Sequence, residues 1–426
     1  MLEKAEYDKI DEVIYKYRHD SGLNAFIIPK KGYSKKYAVF ATRYGSINNE
    51  FIDPYSGNNI KMPEGVAHFL EHKLFDQKEG SIMDKFSKLG SSPNAYTSFN
   101  KTVYLFSCTG KFSENLELLL SFVQNPYFTE TSVEKEKDII KQEINMYRDN
   151  PGWRSFFNLL ESLYTENPVR KDIVGNLESI EEIDKDMLYK CYNIFYHPSN
   201  MVILVVGDVD AEDVFKQINS SITTKYKNPE IKRIFPTESC EINKEYSEEK
   251  MPVAIPLFQI GFKDDANNLK RDELLMREVL IKILLEILTG RSSQLYNQLY
   301  EEGLINSTFE FDYTGEENYA YSVIGGESKD PDRVREKMFD TIDYMLKNGV
   351  AKEVFERVKK AMYGRTIRWF NSLEKISEVF ISSYFKNINL FDYFDIYDKI
   401  NLEYLSSIMK EHFRLDRFAM SVIKGV

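Results

Sequence analysis

Apolar and polar positions recur along the chain with periods near two and near three to four residues, and these periods mark out its elements. Runs rich in β-branched and aromatic residues at 24–29 and 37–44, bounded by Pro29-Lys30-Lys31-Gly32 and by Gly45, predict paired strands. A polar loop at 48–62 carries the turn signals Asp53-Pro54 and Ser56-Gly57-Asn58-Asn59, after which Pro63 opens a helix at its first turn. A helix at 81–89 stops at Gly90, and 91–98 with 102–108 reads as a strand pair. Ser113 is expected to cap a helix at 114–124, ended by Asn125-Pro126. The capping box Thr131-Ser132-Val133-Glu134 starts a long helix reaching about Arg148. An aromatic helix at 153–164, a helix at 185–195 and a strand at 201–207 complete the first half.

From 220 to 251 the chain turns charged and loses its periodicity, which predicts a linker. Beyond it the outline repeats: a strand at 256–262, helices at 272–288 and 292–300, a strand pair at 307–313 and 319–325, and helices at 331–348 and 352–369. The endings 183–209 and 400–426 both run helix, polar turn, strand, which predicts a tandem duplication. The expected division is 1–222, a linker at 223–250, and 251–426.

One helix stands out for its chemistry. At ~100° per residue, His68 and His72 fall one turn apart on the same face with Glu71 beside them, while Val66, Ala67, Leu70 and Leu74 fall opposite. Neutral imidazoles are good zinc ligands, and a carboxylate that stays off the metal can take a proton from metal-bound water. The spacing H-x-x-E-H inverts the commoner H-E-x-x-H signature. On the helix at 131–148, Val133, Ile140, Ile144 and Tyr147 form the inward stripe, and Glu136 and Glu143 border it two turns apart. Two carboxylates beside an apolar stripe call for a cationic partner, and a metal on His68 and His72 needs a third ligand. His197, at a helix end before Pro198, reads as structural. The helix in the second half that corresponds to the histidine helix reads Leu280 to Glu286 without a histidine, so only the first half carries the motif.

Composition narrows the rest. The chain has 426 residues, 42% hydrophobic and 29% charged, enough to bury substantial cores in two to three domains. A net charge of −11, from 56 basic and 67 acidic residues, argues against nucleic-acid or anionic-membrane binding. Cys108, Cys191 and Cys240 are too few and scattered for a disulfide framework or a cysteine zinc site. Residues 1–20 alternate charges with Ile and Tyr and lack the apolar segment of a signal peptide, and no apolar run approaches membrane-spanning length. A cytosolic location is expected.

His68-Phe69-Leu70-Glu71-His72, Glu136 and Glu143 about seventy residues on, Asn94-Ala95-Tyr96-Thr97 between them, and Tyr196-His197-Pro198 leading into Val205-Val206-Gly207-Asp208 together resemble the insulinase/pitrilysin family of zinc metallopeptidases. The resemblance runs over nearly the whole chain and fits the half-length members similar to mitochondrial processing peptidase subunits. It implies that His68, His72 and Glu143 bind one zinc ion, that Glu71 is the general base acting on the zinc-bound water, and that Glu136 orients the site from behind the ligands. It further implies that the strand following Asn94 and Ala95 receives the substrate backbone as an added strand. The implied fold is α+β, two duplicated domains, each a mainly antiparallel sheet with helices on one side. Two such chains, as a homodimer or as a heterodimer with a related chain, usually close a chamber that admits peptides or unfolded segments. One departure is visible: Tyr300 and Asn306 or Ser307 stand where the family commonly carries an Arg and a Tyr that support the tetrahedral intermediate, leaving Arg291, Tyr313 or a partner chain as substitutes. The expected activity is zinc endopeptidase, the alternative a non-catalytic or partner-dependent subunit of a heterodimer.

Overall fold

Seven strands form the first sheet in the order Glu3–Tyr7, Glu12–Arg18, Asn24–Pro29, Met201–Gly207, Lys36–Thr42, Thr102–Cys108, Ser92–Thr97 in the computed structural model, which describes residues 2–78, 80–224, 230–265, 269 and 271–426. Only Met201–Gly207 against Asn24–Pro29 is parallel; the other pairs are antiparallel. Met201–Gly207 reads Met-Val-Ile-Leu-Val-Val-Gly and is buried at every position, as a strand covered on both faces must be. On one face Tyr104 and Phe106 pack against Phe75, Phe86, Phe112 and Phe122 of the flanking helical layer. On the other, Phe26 meets Phe380 and Tyr384 of the helix Leu373–Phe385. This first unit comprises Met1–Ile144, Asp172–Ile234 and Trp369–Phe385.

The second unit comprises Asn145–Lys171, Phe235–Arg368 and Lys386–Val426. Its five strands run Tyr246–Lys250, Phe418–Lys424, Leu257–Asp264, Ala320–Glu327, Glu310–Gly315, with only the first pair parallel. Phe262 faces His412 and Phe413. On the opposite face Gly261 lies so close to the helix Pro151–Leu163 that a Cβ there would meet Leu159 and Leu163 at 3.0 Å. In the buried core Asp264 accepts from Arg277 at 2.6 and 2.8 Å and from Tyr313 at 2.7 Å.

The duplicated α+β architecture expected from the sequence is present, and each sheet gains a covering helix from the opposite half of the chain. Helix Pro151–Leu163 packs in the second unit and Leu373–Phe385 in the first, so the two units do not follow a single cut near 222–250. Nor is 223–250 featureless: Lys232–Arg233 pairs with Glu50–Ile52 and Tyr246–Lys250 joins the second sheet, while 225–229 lie outside the described residues.

Two expected caps are displaced. The reciprocal hydrogen bonds of the long helix Glu130–Arg148 form between Thr129 and Ser132, leaving Glu134 to pair with Lys137. Helix Phe112–Gln124 starts after Lys111, and the Ser113 hydroxyl donates to Gln217 instead of capping. Residues 3–7 and 12–18, to which the sequence pattern assigned no element, form two strands at one end of the first sheet, 3–7 at its edge and 12–18 next to it.

Candidate metal centre

Helix Val66–Leu74 begins immediately after Gly65, which adopts φ 84° and whose Cβ, were there one, would lie 2.5 Å from the Val174 carbonyl oxygen. Only glycine admits that close approach in the left-handed region. Val66, Ala67, Leu70 and Leu74 anchor the helix in the core, and His68 and Glu71 are themselves buried. His72 remains partly open, with 26% of its side chain exposed.

The long helix Glu130–Arg148 passes in front of these residues. Glu143 directs one oxygen, Oε2, at both histidines: 3.7 Å from His68 Nε2 and 3.4 Å from His72 Nε2. Two turns earlier on that helix, Glu136 Oε1 lies 3.1 Å from His72 Nδ1, the ring nitrogen facing away from Glu143. The two glutamates left open by the helical wheel thus part: Glu143 completes a cluster with His68 and His72 whose donor atoms lie within 4.8 Å of one another, and Glu136 stands behind His72. With Nδ1–H donated to Glu136, His72 presents the Nε2 lone pair to the cluster.

This donor set suits a divalent ion of zinc's size. Ligand bonds of about 2.0–2.2 Å in a tetrahedral arrangement separate the donor atoms by about 3.3–3.6 Å. The 3.4 Å separation falls within that range and the 3.7 Å separation just beyond it, and neither pair makes a strong hydrogen bond of its own. His68 Nδ1 is buried with no hydrogen-bond partner among the described residues.

Electrostatics set Glu71 apart. Burial pushes its carboxyl up to about 7, opposed by a hydrogen bond donated by the Thr97 hydroxyl at 2.7 Å and by His72. Burial and then His72 lower the His68 imidazole to about 3, so it is neutral and available as a ligand. Burial also pulls His72 down, but the Glu136 hydrogen bond and the fields of Glu71, Glu143 and Glu136 outweigh it, and its net shift is upward. Three carboxylates converging on one ring are the surroundings of a cation.

Asn94 and Ala95 lie on Ser92–Thr97, an edge strand of the first sheet, where one row of backbone groups has no neighbouring strand among the described residues. Ala95 and Thr97 share a face by strand alternation, and Thr97 reaches Glu71 from that face. The edge strand therefore runs directly to the carboxylate. His197 is elsewhere: its Nδ1 lies 2.8 Å from Ser199 Oγ and accepts from the Ser199 amide, capping 198–200, the structural role its sequence context indicates. In the second unit Tyr300 is 57% exposed and stacks on Tyr296, and Asn306 donates to Glu327. Tyr313 is buried and donates to Asp264, so its hydroxyl is committed within the second unit's core. The helix Arg271–Thr289 carries a buried Glu278, which pairs with Lys282 at 3.0 Å and Lys386 at 2.8 Å.

Two side chains join the site with no role assigned to them from the sequence. Thr97, which ends the motif Asn94-Ala95-Tyr96-Thr97, is one. The other is Lys73, fully buried beside His72, whose ammonium faces Asp76, the Ser132 carbonyl and Glu136. Its signal was present in the sequence: on the helical wheel Lys73 falls with Val66 and Leu70, a charge on the apolar side.

Comparison with known proteins places this geometry in context. Residues 56–176 match the model described as insulinase (peptidase family M16), and 182–362 match that of the peptidase M16 inactive domain. The chain is 42% identical to the "Uncharacterized zinc protease YmfH" of Bacillus subtilis (strain 168), over 99% of this chain and 98% of that protein. It is similar to the crystal structure of an M16-like peptidase from Alicyclobacillus acidocaldarius, with 32% identity, TM-score 0.93 and coverage of 100% and 99% of the two chains. A protease from Helicobacter pylori, 18% identical, shares the fold at TM-score 0.80 over 96% and 99%.

Proposed function

Because the chain belongs to the insulinase (peptidase M16) family as a half-length member, we propose that it is a zinc metalloendopeptidase that hydrolyses peptides or unfolded protein segments. The observation that carries this reading is the meeting of His68 Nε2, His72 Nε2 and Glu143 Oε2 around one point, with Glu71 held off that point by Thr97. His68, His72 and Glu143 would hold one zinc ion. An ion held there would supply Lewis acidity toward the attacking water and the amide carbonyl. Glu71 takes the proton from the attacking water and passes it to the leaving amine, a role suited to a carboxyl near neutrality. Thr97 aims Glu71, and Glu136 keeps His72 in the tautomer that ligates. The open edge of Ser92–Thr97, with Asn94 and Ala95, receives an extended substrate as an added strand, which selects unfolded segments because only they have free backbone groups to pair.

The test compares the native chain with Glu71→Gln for metal content and for hydrolysis of a quenched unstructured peptide. One zinc per chain in both, with turnover only in the native chain, is the expected result. Loss of zinc from Glu71→Gln would make Glu71 a ligand, and undiminished turnover would remove it as the base.

A second reading is favoured by one observation, the Tyr300 and Asn306 found where an Arg and a Tyr are expected: a chain that gains oxyanion support from a related partner. Size-exclusion and assay of the isolated chain separate the two, since an active homodimer needs no other partner and an inactive, zinc-loaded monomer calls for one. The free thiols of Cys108, Cys191 and Cys240 suit a reducing compartment such as the cytosol.

A further inference from the structure

We infer that Lys73 is a positioning residue of the metal centre, acting through Glu136 on His72. Lys73 is 0% exposed, so it touches neither solvent nor substrate. Its ammonium lies 2.8 Å from Asp76 Oδ2, 3.3 Å from the Ser132 carbonyl oxygen and 3.8 Å from Glu136 Oε2. Glu136 divides its two oxygens between neighbours: Oε1 faces His72 Nδ1 at 3.1 Å, and Oε2 faces Lys73.

A fully buried ammonium carries a desolvation cost that is offset only by fixed anionic partners. The cost is meaningful here because Glu71, Glu136 and Glu143 converge on a small volume and repel one another in the absence of a metal. Lys73 is the buried cation on the histidine helix that meets one of them, so it holds Glu136 in its orientation before an ion arrives. The helix explains the geometry. Lys73 follows His72 directly, its aliphatic stem passes along the apolar side of the helix, and the ammonium emerges where the Glu130–Arg148 helix presents Ser132 and Glu136 one turn apart. Removing the charge frees Glu136 to turn from His72 Nδ1, and the imidazole loses the partner that fixes its tautomer.

The inference rests on the reading of His68, His72 and Glu143 as a zinc site. The experiment is a double-mutant cycle on zinc affinity, measured on the full chain by competition with a chromophoric chelator, for native, Lys73→Met, Glu136→Gln and the double variant. Lys73→Met is expected to weaken zinc binding about tenfold, the low end for residues that support ligands, and to have no further effect once Glu136 is Gln. Should Lys73→Met alone not fold, the double variant, with both charges removed, is expected to fold and to match Glu136→Gln. Asp76→Asn supplies the control: Asp76 is half exposed and makes the shorter ion pair with Lys73, yet its loss should change zinc affinity less than twofold. Additive losses, a double variant weaker than Glu136→Gln, or an Asp76→Asn defect equal to that of Lys73→Met would overturn the inference, since each means Lys73 only pins the local turn. A native chain that binds no zinc sinks the underlying reading and this one together, whereas zinc bound with additive losses sinks this one alone.

Discussion

Glu136 and Glu143 lie on one face of one helix, and what separates them is which nitrogen of His72 each one meets. Glu143→Gln removes the anionic donor shared by both histidines, so zinc should fall below one per chain after dialysis. Glu136→Gln should retain zinc but bind it roughly 10–100-fold more weakly. Equal losses in chelator competition would erase the distinction. Thr97→Val should leave zinc unchanged and lower kcat by about tenfold, since only the aim of Glu71 is lost. A matching loss of zinc would mean that Thr97 supports the fold of the site. The pattern of His68, Glu71 and His72 was legible because helical period alone fixes their common face. Periodicity alone did not separate the roles of Glu136 and Glu143, which came only from the family resemblance, since seven residues bring both to nearly the same azimuth and the register between two helices, 64 and 71 residues from His72 in sequence, decides between them. Thr97, quoted only as the end of Asn94-Ala95-Tyr96-Thr97, and Lys73 received no role from the sequence because a hydroxyl at a strand end and a single lysine in a helix are common and carry no spacing rule.

At the scale of elements, the histidine helix depends on the residue that precedes it, Gly65. Gly65→Ala brings a Cβ against the Val174 carbonyl oxygen in a left-handed backbone, so the helix start must shift. A loss of about 1–3 kcal/mol in stability by chemical denaturation, with weakened zinc binding, is expected; unchanged zinc affinity would show that the helix start and the ligands are uncoupled. The edge strand Ser92–Thr97 invites a chemical test. A peptide competitor carrying N-methyl groups on the amides that pair with the strand should bind about tenfold more weakly than its unmethylated twin, the loss of one or two backbone hydrogen bonds. Equal affinity would rule out strand addition. Strands Glu3–Tyr7 and Glu12–Arg18 were not read from the sequence for a physical reason: Glu3–Tyr7 is an edge strand exposed along nearly its whole length, and Glu12–Arg18, though paired on both sides, alternates buried with more exposed residues, so their charges look like a loop.

The whole molecule shows where sequence reasoning stops. The duplication was visible because both halves repeat the same succession of elements, whereas the reciprocal placement of Pro151–Leu163 and Leu373–Phe385 was hidden, since an amphipathic helix does not record which sheet buries its stripe. The proposed zinc ligands His68, His72 and Glu143 all lie in the first unit, so damage confined to the second core should leave zinc affinity intact. Asp264 gives such damage a defined sign. Burial would raise its carboxyl, but Arg277, His412 and their hydrogen bonds more than reverse this and hold it well below the usual carboxylate range. A carboxylate held low contributes stability that is complete above its unfolded pKa of about 4 and is lost as pH falls below it. Asp264→Asn should therefore lower stability at pH 7 and flatten the acid-side fall in denaturation midpoint, while the zinc dissociation constant at pH 7 stays within twofold of native. Unaltered acid dependence would mean that other carboxylates govern the acid limit, and a large change in zinc binding would mean that the core around Asp264 and the histidine helix answer to one another.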